Sequence, residues 1–169
     1  MRTFHPAFLF VGAFLLLTSC RNRPAANRLE SPENFTHVQS EDAAMNAAIA
    51  EARSRVHEFV DALQAPKPTY HEFYVKKPYR TPDGGNEHMW IGDVTEKEGK
   101  YSGVIANDAF ETKEVKFGQS VEFVLTEISD WKFQDDSKLV GGFTIRYFYN
   151  KMSTAEKDAF RKESGLIIE

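Results

Sequence analysis

The sequence predicts an α+β protein in which helices precede and follow a small antiparallel sheet. Residues 41–64 carry apolar side chains at intervals of three and four, which is typical of an amphipathic helix. From residue 70 the pattern changes to short segments rich in aromatic and β-branched residues, separated by glycine-containing turns. We expect the helices to pack on a strongly bent sheet, which is either open or closed like a barrel.

The first residues have the three regions of a secretory signal. Arg2 supplies positive charge, and residues 7–17 form an uncharged apolar run of eleven residues. The small residues Thr18 and Ser19 then precede Cys20, which is the only cysteine of the chain. This order resembles a bacterial lipobox. We therefore predict a lipoprotein signal peptide at residues 1–19 and lipidation of Cys20.

Two alternatives to lipidation are an uncleaved membrane helix and ordinary secretion that leaves Cys20 as a free thiol. Eleven apolar residues reach only ~16 Å as a helix, whereas the hydrocarbon core of a bilayer is ~30 Å thick. A single thiol in an exported protein has no partner within its own chain. Both observations favour lipidation.

A lipidated Cys20 predicts a protein of the cell envelope that is anchored in a membrane. The thioether diacylglycerol and an N-acyl chain such as palmitate bury many methylenes, at ~0.8 kcal/mol each. In the usual sorting rule for Gram-negative lipoproteins, an aspartate directly after the cysteine retains the protein in the inner membrane. This chain has Arg21 there, so we expect the outer membrane if the cell has one. Residues 20–40 lack apolar periodicity and predict a flexible tether.

The mature chain is mildly acidic. Arg2 is the only charged side chain before Cys20, so 20 of the 21 basic residues and all 25 acidic residues remain, a net charge of −5. Proteins that bind nucleic acid usually carry a basic stripe, and the sequence has none. The simpler expectation is that Arg21, Arg23 and Arg28 of the tether contact lipid phosphates. The sequence thus predicts no nucleic-acid partner.

A helix over residues 41–64 is predicted to open a single domain at residues 41–169. Ser40 is the expected N-cap, Glu51 and Arg55 are spaced to pair across one turn, and prolines end the helix at residues 65–68. The apolar stripe packs on its own domain or forms a coiled-coil or partner-binding face. Three heptads are short for a coiled coil, which favours the first alternative. The stripe consists of Met45, Ile49, Ala52, Val56, Phe59 and Leu63.

Five or six short strands are predicted next. Residues 81–86 form a turn-rich loop, and residues 97–100 form the turn of a hairpin. The strand segments are 71–77, 88–94, 101–106, 120–125 and 128–133.

The end of the chain predicts two short helices. Residues 143–149 are rich in β-branched and aromatic side chains, which favours a strand. However, they follow two glycines and form a segment of the length of a short helix. We predict a helix there. Ser153 and Glu156 form a capping box that begins a second helix over residues 154–163.

The densest cluster of reactive side chains is Glu-His-Met-Trp at residues 87–90. His88 is a candidate general base, but strand neighbours face opposite ways, so its partner must come from elsewhere. Asp130 is the candidate partner. The structural alternative is that His88 is hydrogen-bonded at a sheet edge and fixes the preceding loop.

Candidate binding residues are Trp90, Trp131 and Arg146. Trp131 is either a stacking platform for a ligand or a core anchor beside Asp130, which then caps a turn. The predicted binding surface is the edge near Trp90, Trp131 and the 81–86 turn.

Arg146 offers a planar fork that matches an anionic ligand. The structural alternative is an ion pair of Arg146 with Asp130 or Glu87. Both interpretations remain open from the sequence.

The sequence predicts neither a metal nor a cofactor. It carries no phosphate loop, Gly-x-Ser-x-Gly elbow or dinucleotide fingerprint. The histidines of the mature chain are too widely separated for a zinc site. They are His37, His57, His71 and His88.

Four motifs in order resemble the YegJ-like family, domain of unknown function 2314. They are Glu87-His88-Met89-Trp90, Gly103-Val104-Ile105-Ala106-Asn107, Ile128-Ser129-Asp130-Trp131 and Gly141-Gly142-Phe143-Thr144-Ile145-Arg146. The resemblance covers about residues 73–160. Family members often read Asn-x-Pro where this chain has Asn-Asp-Ala at 107–109, so we expect the geometry of that turn to depart from the family's. The resemblance implies a binding or immunity-type module and names no activity.

We therefore predict a non-catalytic, membrane-anchored interaction or binding module of the cell envelope, with an envelope protein as its expected partner. The alternative is an envelope hydrolase or other enzyme that uses His88 with Asp130.

Overall fold

The computed structural model describes residues 42–169. The helices of this range are α1 (Ala43–Ser54), α2 (Val56–Gln64), α3 (Phe143–Lys151) and α4 (Thr154–Ser164). The strands are β1 (Tyr70–Arg80), β2 (Asn86–Lys97), β3 (Lys100–Ile105), β4 (Ser120–Phe123), β5 (Asp130–Asp135) and β6 (Lys138–Gly141). One short 3-10 helix spans Leu125–Glu127. The predicted α+β class is confirmed.

The six strands form one antiparallel sheet in the order β4-β3-β2-β1-β5-β6. The sheet is open, which decides between the two predicted alternatives. The edge strands β4 and β6 have only four residues each. Bulges at Glu72 and Asp93, whose φ angles are 56° and 49°, bend β1 and β2. The bend curves the sheet without bringing its edges together.

The predicted first helix is divided in two. Arg55 leaves helical geometry, with φ −106° and ψ 12°, and separates α1 from α2. The predicted pairing of Glu51 with Arg55 is confirmed at 3.2 Å. Asp42 caps α1 by accepting the main-chain N–H groups of Ala44 and Met45, whereas Ser40, the predicted N-cap, lies outside the described residues. Ala52 and Phe59 of the apolar stripe are buried in the core, and Val56 and Leu63 pack against it, so the stripe packs on its own domain, as the favoured alternative predicted.

The chain reverses sharply between β6 and α3 at two glycines. Gly141 and Gly142 both adopt left-handed backbone conformations, with φ angles of 70° and 65°. A Cβ atom on Gly141 would lie 2.4 Å from the carbonyl oxygen of Trp131, so only glycine fits this approach. The predicted helix at residues 143–149 is confirmed as α3. The strand β6 was missed by the sequence analysis.

The hydrophobic core lies between α1, α2 and one face of the sheet. Trp131 is fully buried at its centre, and its indole N–H donates to the carbonyl of Ala52 at 2.8 Å. Phe59 and Phe143 lie 5.9 and 5.5 Å from Trp131 between ring centroids. These contacts hold α1, α2 and α3 against β5. The last helix, α4, begins at the predicted capping box, since Ser153 and Glu156 bond each other's main-chain N–H groups.

Candidate functional site

The strand register places the two tryptophans on opposite faces of the sheet. Lys76 of β1 pairs with Trp90, whereas the next residue towards the N-terminus, Val75, pairs with Trp131. Successive residues of a strand point to opposite faces. Trp131 is also fully buried. The prediction of one surface containing both Trp90 and Trp131 is therefore wrong, and Trp131 is a core anchor.

His88 lies on β2 and is half-buried. Its Nδ1 atom is 2.7 Å from Oγ of Ser129, and this hydroxyl lies 3.2 Å from the carbonyl oxygen of Lys76. In a neutral ring with the proton on Nδ1, His88 donates to Ser129, which donates to the carbonyl. Burial lowers the pKa of His88 to about 4, helped by the charges of Lys76 and Arg53. His88 is therefore neutral at pH 7.

Asp130 is fully buried at the start of β5. Its Oδ1 atom accepts the N–H groups of Trp131 and Phe143 at 2.8 and 3.1 Å. Its Oδ2 atom accepts the N–H and the hydroxyl of Thr144 at 2.8 and 2.6 Å. Burial raises the pKa of Asp130, although the bonds from Thr144 and the charge of Lys76 oppose it. Asp130 thus caps α3, whose N-cap Gly142 has no side chain to do so.

The predicted partnership of His88 with Asp130 is not formed. Within residues 42–169, the hydrogen bonds of His88 lead to Ser129, and those of Asp130 lead to Trp131 and α3. Both carboxylate oxygens already accept two donors each. His88 instead joins β2 to the segment before β5. A structural role was the alternative considered for it, but the predicted position at a sheet edge is wrong, because β2 lies between β3 and β1.

Two lysines that the sequence analysis did not single out lie on the sheet face opposite the core. Lys132 is 2% exposed, and its Nζ atom is 4.1 Å from the ring centroid of Tyr74. Nζ of Lys76 is 5.2 Å from the ring of Trp90 and 3.4 Å from Oγ1 of Thr144. Burial lowers the pKa of Lys132 to about 8. Trp90 is buried under these ammonium groups, so its cation–π contacts are intramolecular.

A cleft of about 590 Å³ opens between α1, α3 and β6. Helix α1 contributes one face of small and charged side chains, α3 contributes a face spaced three and four residues apart, and β6 contributes the floor. The lining residues are Ala44, Ala47, Ala48, Glu51, Arg55, Leu139, Val140, Gly141, Phe143, Arg146, Tyr147 and Asn150. Of the three binding residues predicted from the sequence, Arg146 is the one that lines this cleft.

The guanidinium of Arg146 is held by main-chain carbonyl groups. It donates to Gly141, Leu139 and Glu169 at 2.8, 2.6 and 2.8 Å. No carboxylate of residues 42–169 forms a salt bridge with it, so it pairs with neither Asp130 nor Glu87. Burial lowers the pKa of Arg146, and the nearby charge of Arg55 adds to the effect.

Arg55, the other cation of the cleft, is neutralised locally. Its Nη1 atom is 3.2 Å from Glu51, and its Nε atom is 2.6 Å from Glu58. The carbonyl dipoles around Arg146 stabilise its charge but do not cancel it. The charges of Asp130, Glu169 and Glu51 also act on Arg146 and oppose the lowering of its pKa by burial.

Glu87, the neighbour of His88, forms hydrogen bonds with the loop that follows β3. Its Oε1 atom accepts the N–H of Phe110, and its Oε2 atom accepts those of Glu111 and Thr112, all at 2.8 Å. Three consecutive amides converging on one carboxylate form a filled anion nest. The sequence carried no signal for this long-range contact.

The described residues contain no group of three or more histidine, cysteine, aspartate or glutamate side chains placed to hold a metal ion. None of the helices at residues 42–169 is long and apolar enough to span a membrane. Cys20 and the predicted signal peptide and tether lie outside the described residues.

The open, six-stranded sheet with its glycine-linked C-terminal helices defines an α+β domain, and comparison with known proteins identifies its family. Residues 42–167 match the family described as "Uncharacterized protein conserved in bacteria (DUF2314)". The chain belongs to this family, which confirms the resemblance found in the sequence. No solved structure matches it.

Two curated relatives are similar to parts of the chain. "Uncharacterized protein YegJ" of Escherichia coli (strain K12) is 37% identical over 102 residues, which are 60% of this chain and 65% of the relative. "Putative ankyrin repeat protein NMB1133/NMB1171" of Neisseria meningitidis serogroup B is 39% identical over 72 residues, which are 42% of this chain and 28% of the relative. The chain thus spans less than two thirds of the length of either relative.

Proposed function

We propose that the protein is a lipid-anchored, non-catalytic binding module of the bacterial cell envelope, and that the cleft between α1, α3 and β6 is its binding site. The observation that carries the proposal is this cleft of about 590 Å³, which Arg146 lines with a half-buried guanidinium. Arg146 donates three N–H groups to main-chain oxygens, and a guanidinium has five, so an anionic group of a partner would find further donors there.

A binding role is favoured over catalysis by what the polar side chains already do. Both carboxylate oxygens of Asp130 already accept hydrogen bonds, from the first turn of α3 and from the main-chain N–H of Trp131. The hydroxyl of Ser129, which lies against His88, is fully buried. A catalytic histidine is usually oriented by a carboxylate, whereas Nδ1 of His88 is bonded to this buried hydroxyl and Asp130 is engaged elsewhere.

The lipid anchor rests on the sequence before the domain. Cys20 follows an apolar leader and two small residues, and Arg21 follows Cys20. Lipidation would hold the domain at a membrane surface through a tether of about 20 residues, in the outer membrane of a Gram-negative cell. A ligand or envelope protein at that surface would meet the cleft at high effective concentration.

Two experiments test these parts separately. Incorporation of radiolabelled palmitate and recovery in the membrane fraction test the anchor, and both should be lost in Cys20→Ala. A photo-crosslinking amino acid at position 47, inside the cleft, tests the binding site in intact cells. The same amino acid at position 50 is the control, because Ala50 is exposed on α1 and does not line the cleft.

The expected result is a discrete crosslinked product at position 47 and none at position 50. Equal products at both positions, or none at either, would contradict the proposed binding site. Neither outcome would bear on the lipid anchor, which the palmitate experiment tests.

A further inference from the structure

The geometry points to the outer edge of β4 as the surface on which a second copy of this chain pairs. In this arrangement the two β4 strands run antiparallel about a twofold axis at Val121 and join two sheets into one. The inference goes beyond the proposed function, because it involves neither the cleft nor the lipid anchor.

The two edges of the sheet differ in what covers them. At β6, the main-chain N–H of Leu139 donates to the carbonyl of Ile167 at 3.0 Å, and the N–H of Ile167 donates to the carbonyl of Ser137 at 2.8 Å. The segment after α4 therefore covers the β6 edge. Within residues 42–169, β4 pairs with β3 alone. An uncovered strand edge is a template on which another strand can pair.

A bulge at Gly118 determines which main-chain groups of β4 point outward. Gly118 has a φ of 78° and donates its N–H to the carbonyl of Ile105 at 2.9 Å, and the N–H of Ile105 donates to the carbonyl of Gln119 at 2.9 Å. This is the pattern of a glycine bulge. Hydrogen-bonded pairs then recur at every second residue of an antiparallel ladder. The intervening residues, Ser120 and Glu122, therefore direct their main-chain N–H and carbonyl groups away from the sheet.

Charge and hydrogen bonding select the register in which two such edges pair. Pairing of Glu122 with itself would place two carboxylates directly opposite each other, which is destabilising. Pairing of Ser120 with itself would place Glu122 opposite Gly118, whose N–H is already bonded to Ile105. Pairing of Ser120 with Glu122 of the second copy avoids both conflicts. It places Val121 opposite Val121 of the second copy, in the closer, non-hydrogen-bonded position.

Exposed apolar side chains at the two ends of β4 fit the same register. Phe117 is 42% exposed and Val124 is 55% exposed. The twofold axis at Val121 places Val124 opposite Gly118 of the second copy and next to its Phe117. A Cβ atom added to Gly118 would meet no atom within 4 Å, so the valine has room there. This contact forms twice in the dimer and removes apolar surface from water.

Disulfide formation tests the pairing and its register. The ladder is short, so the expected dimer is weak and needs to be trapped. Val121→Cys adds one thiol to a chain whose only cysteine is Cys20. Non-hydrogen-bonded partners lie roughly 4.5 Å apart between Cα atoms, which a disulfide can span. The full-length protein, purified in detergent, is oxidised with copper phenanthroline, and peptide mass spectrometry identifies the bonded positions. Lys138→Cys is the matched control, because Lys138 is exposed on the other edge strand, β6.

We expect the disulfide between the two copies at position 121 to form at least about tenfold faster than that at position 138. Equal rates would overturn the inference. A disulfide that forms faster in Glu122→Cys than in Val121→Cys would overturn it too, because it would show a different register.

Two further variants, each combined with Val121→Cys, test the main-chain hydrogen bonds. Glu122→Pro removes an outward N–H, which edge strands tolerate, whereas Glu122→Ala keeps that N–H. Disulfide formation at position 121 should fall about tenfold or more with proline and persist with alanine. An unchanged rate in Glu122→Pro that remains folded, as thermal unfolding measures, would overturn the inference. If Glu122→Pro does not fold, the comparison of positions 121, 122 and 138 still decides. Neither the photo-crosslinking result at position 47 nor the palmitate result depends on this pairing.

Discussion

The carboxylate of Asp130 accepts both the main-chain N–H and the hydroxyl of Thr144, at 2.8 and 2.6 Å. This contact joins the first residue of β5 to the first turn of α3 across 14 positions of the chain. It also brings Oγ1 of Thr144 within 3.4 Å of the Lys76 ammonium. The orientation of α3, and with it one wall of the cleft, therefore depends on one buried carboxylate.

Removal of this carboxylate should destabilise the fold. Asp130→Ala leaves buried N–H groups of residues 131, 143 and 144 without an acceptor, and each such group costs roughly 1–3 kcal/mol. We expect the free energy of unfolding in urea to fall by about 3 kcal/mol or more. Thr144→Val is the matched control, since it removes only the hydroxyl bond and should cost about 1 kcal/mol. Equal losses in the two variants would contradict the capping role.

His88 should make the stability depend on pH. Its pKa is about 4 in the folded protein and 6.5 ordinarily, so the unfolded state binds the proton more readily between these values. The contribution of His88 to the free energy of unfolding is therefore complete above pH 6.5 and is lost as the pH falls towards 4. The free energy of unfolding falls by at most about 3 kcal/mol from this group.

The measurement for His88 is the free energy of unfolding at pH 7 and at pH 4.5. It should fall more in the wild type than in His88→Gln, which cannot titrate. Asp42, whose pKa is lowered to about 2 by its bond from Tyr147 and the α1 amides, stays ionised over this interval. An equal fall in both proteins would assign the pH dependence to other groups.

Gly141 should tolerate no side chain. Gly141→Ala places Cβ 2.4 Å from the carbonyl oxygen of Trp131 and 2.5 Å from its ring, and we expect a loss of about 3 kcal/mol or more. Gly99 is the matched control, because its φ of 77° is also left-handed but no atom lies within 4 Å of an added Cβ. Gly99→Ala should therefore cost only about 1 kcal/mol. Chemical denaturation of both variants measures the difference, and similar losses would show that backbone conformation alone matters.

Local patterns predicted the helices, and the tertiary contacts explain what was missed. The spacing from Met45 to Leu63 and the Ser153 capping box are short-range signals, and both are confirmed. Arg55 has no helix-breaking side chain, so the sequence did not indicate the division there. The four-residue strand β6 is defined mainly by its pairing with β5, and such pairing is not visible locally.

The candidate site depended still more on long-range register. The sequence analysis placed Trp90 and Trp131 on one surface, but their pairing with Lys76 and Val75 of β1 puts them on opposite faces of the sheet. A sequence read segment by segment cannot supply that register. Arg146 was named for its chemistry alone, and the cleft around it became visible only with α1 and α3 packed together.

Glu87 should control the order of the loop that follows β3. Its carboxylate accepts three consecutive amides, at residues 110–112, whereas Glu96 accepts only that of Gly99 in its hairpin. Glu87→Gln replaces one oxygen by an NH₂ group, which faces amide donors and cannot accept from them. Hydrogen exchange at residues 110–112 should accelerate about tenfold. Glu96→Gln should leave these three amides unchanged and affect Gly99. Unaltered exchange at residues 110–112 in Glu87→Gln would mean that other contacts hold the loop, and that the exposed Phe110 is positioned without the help of Glu87.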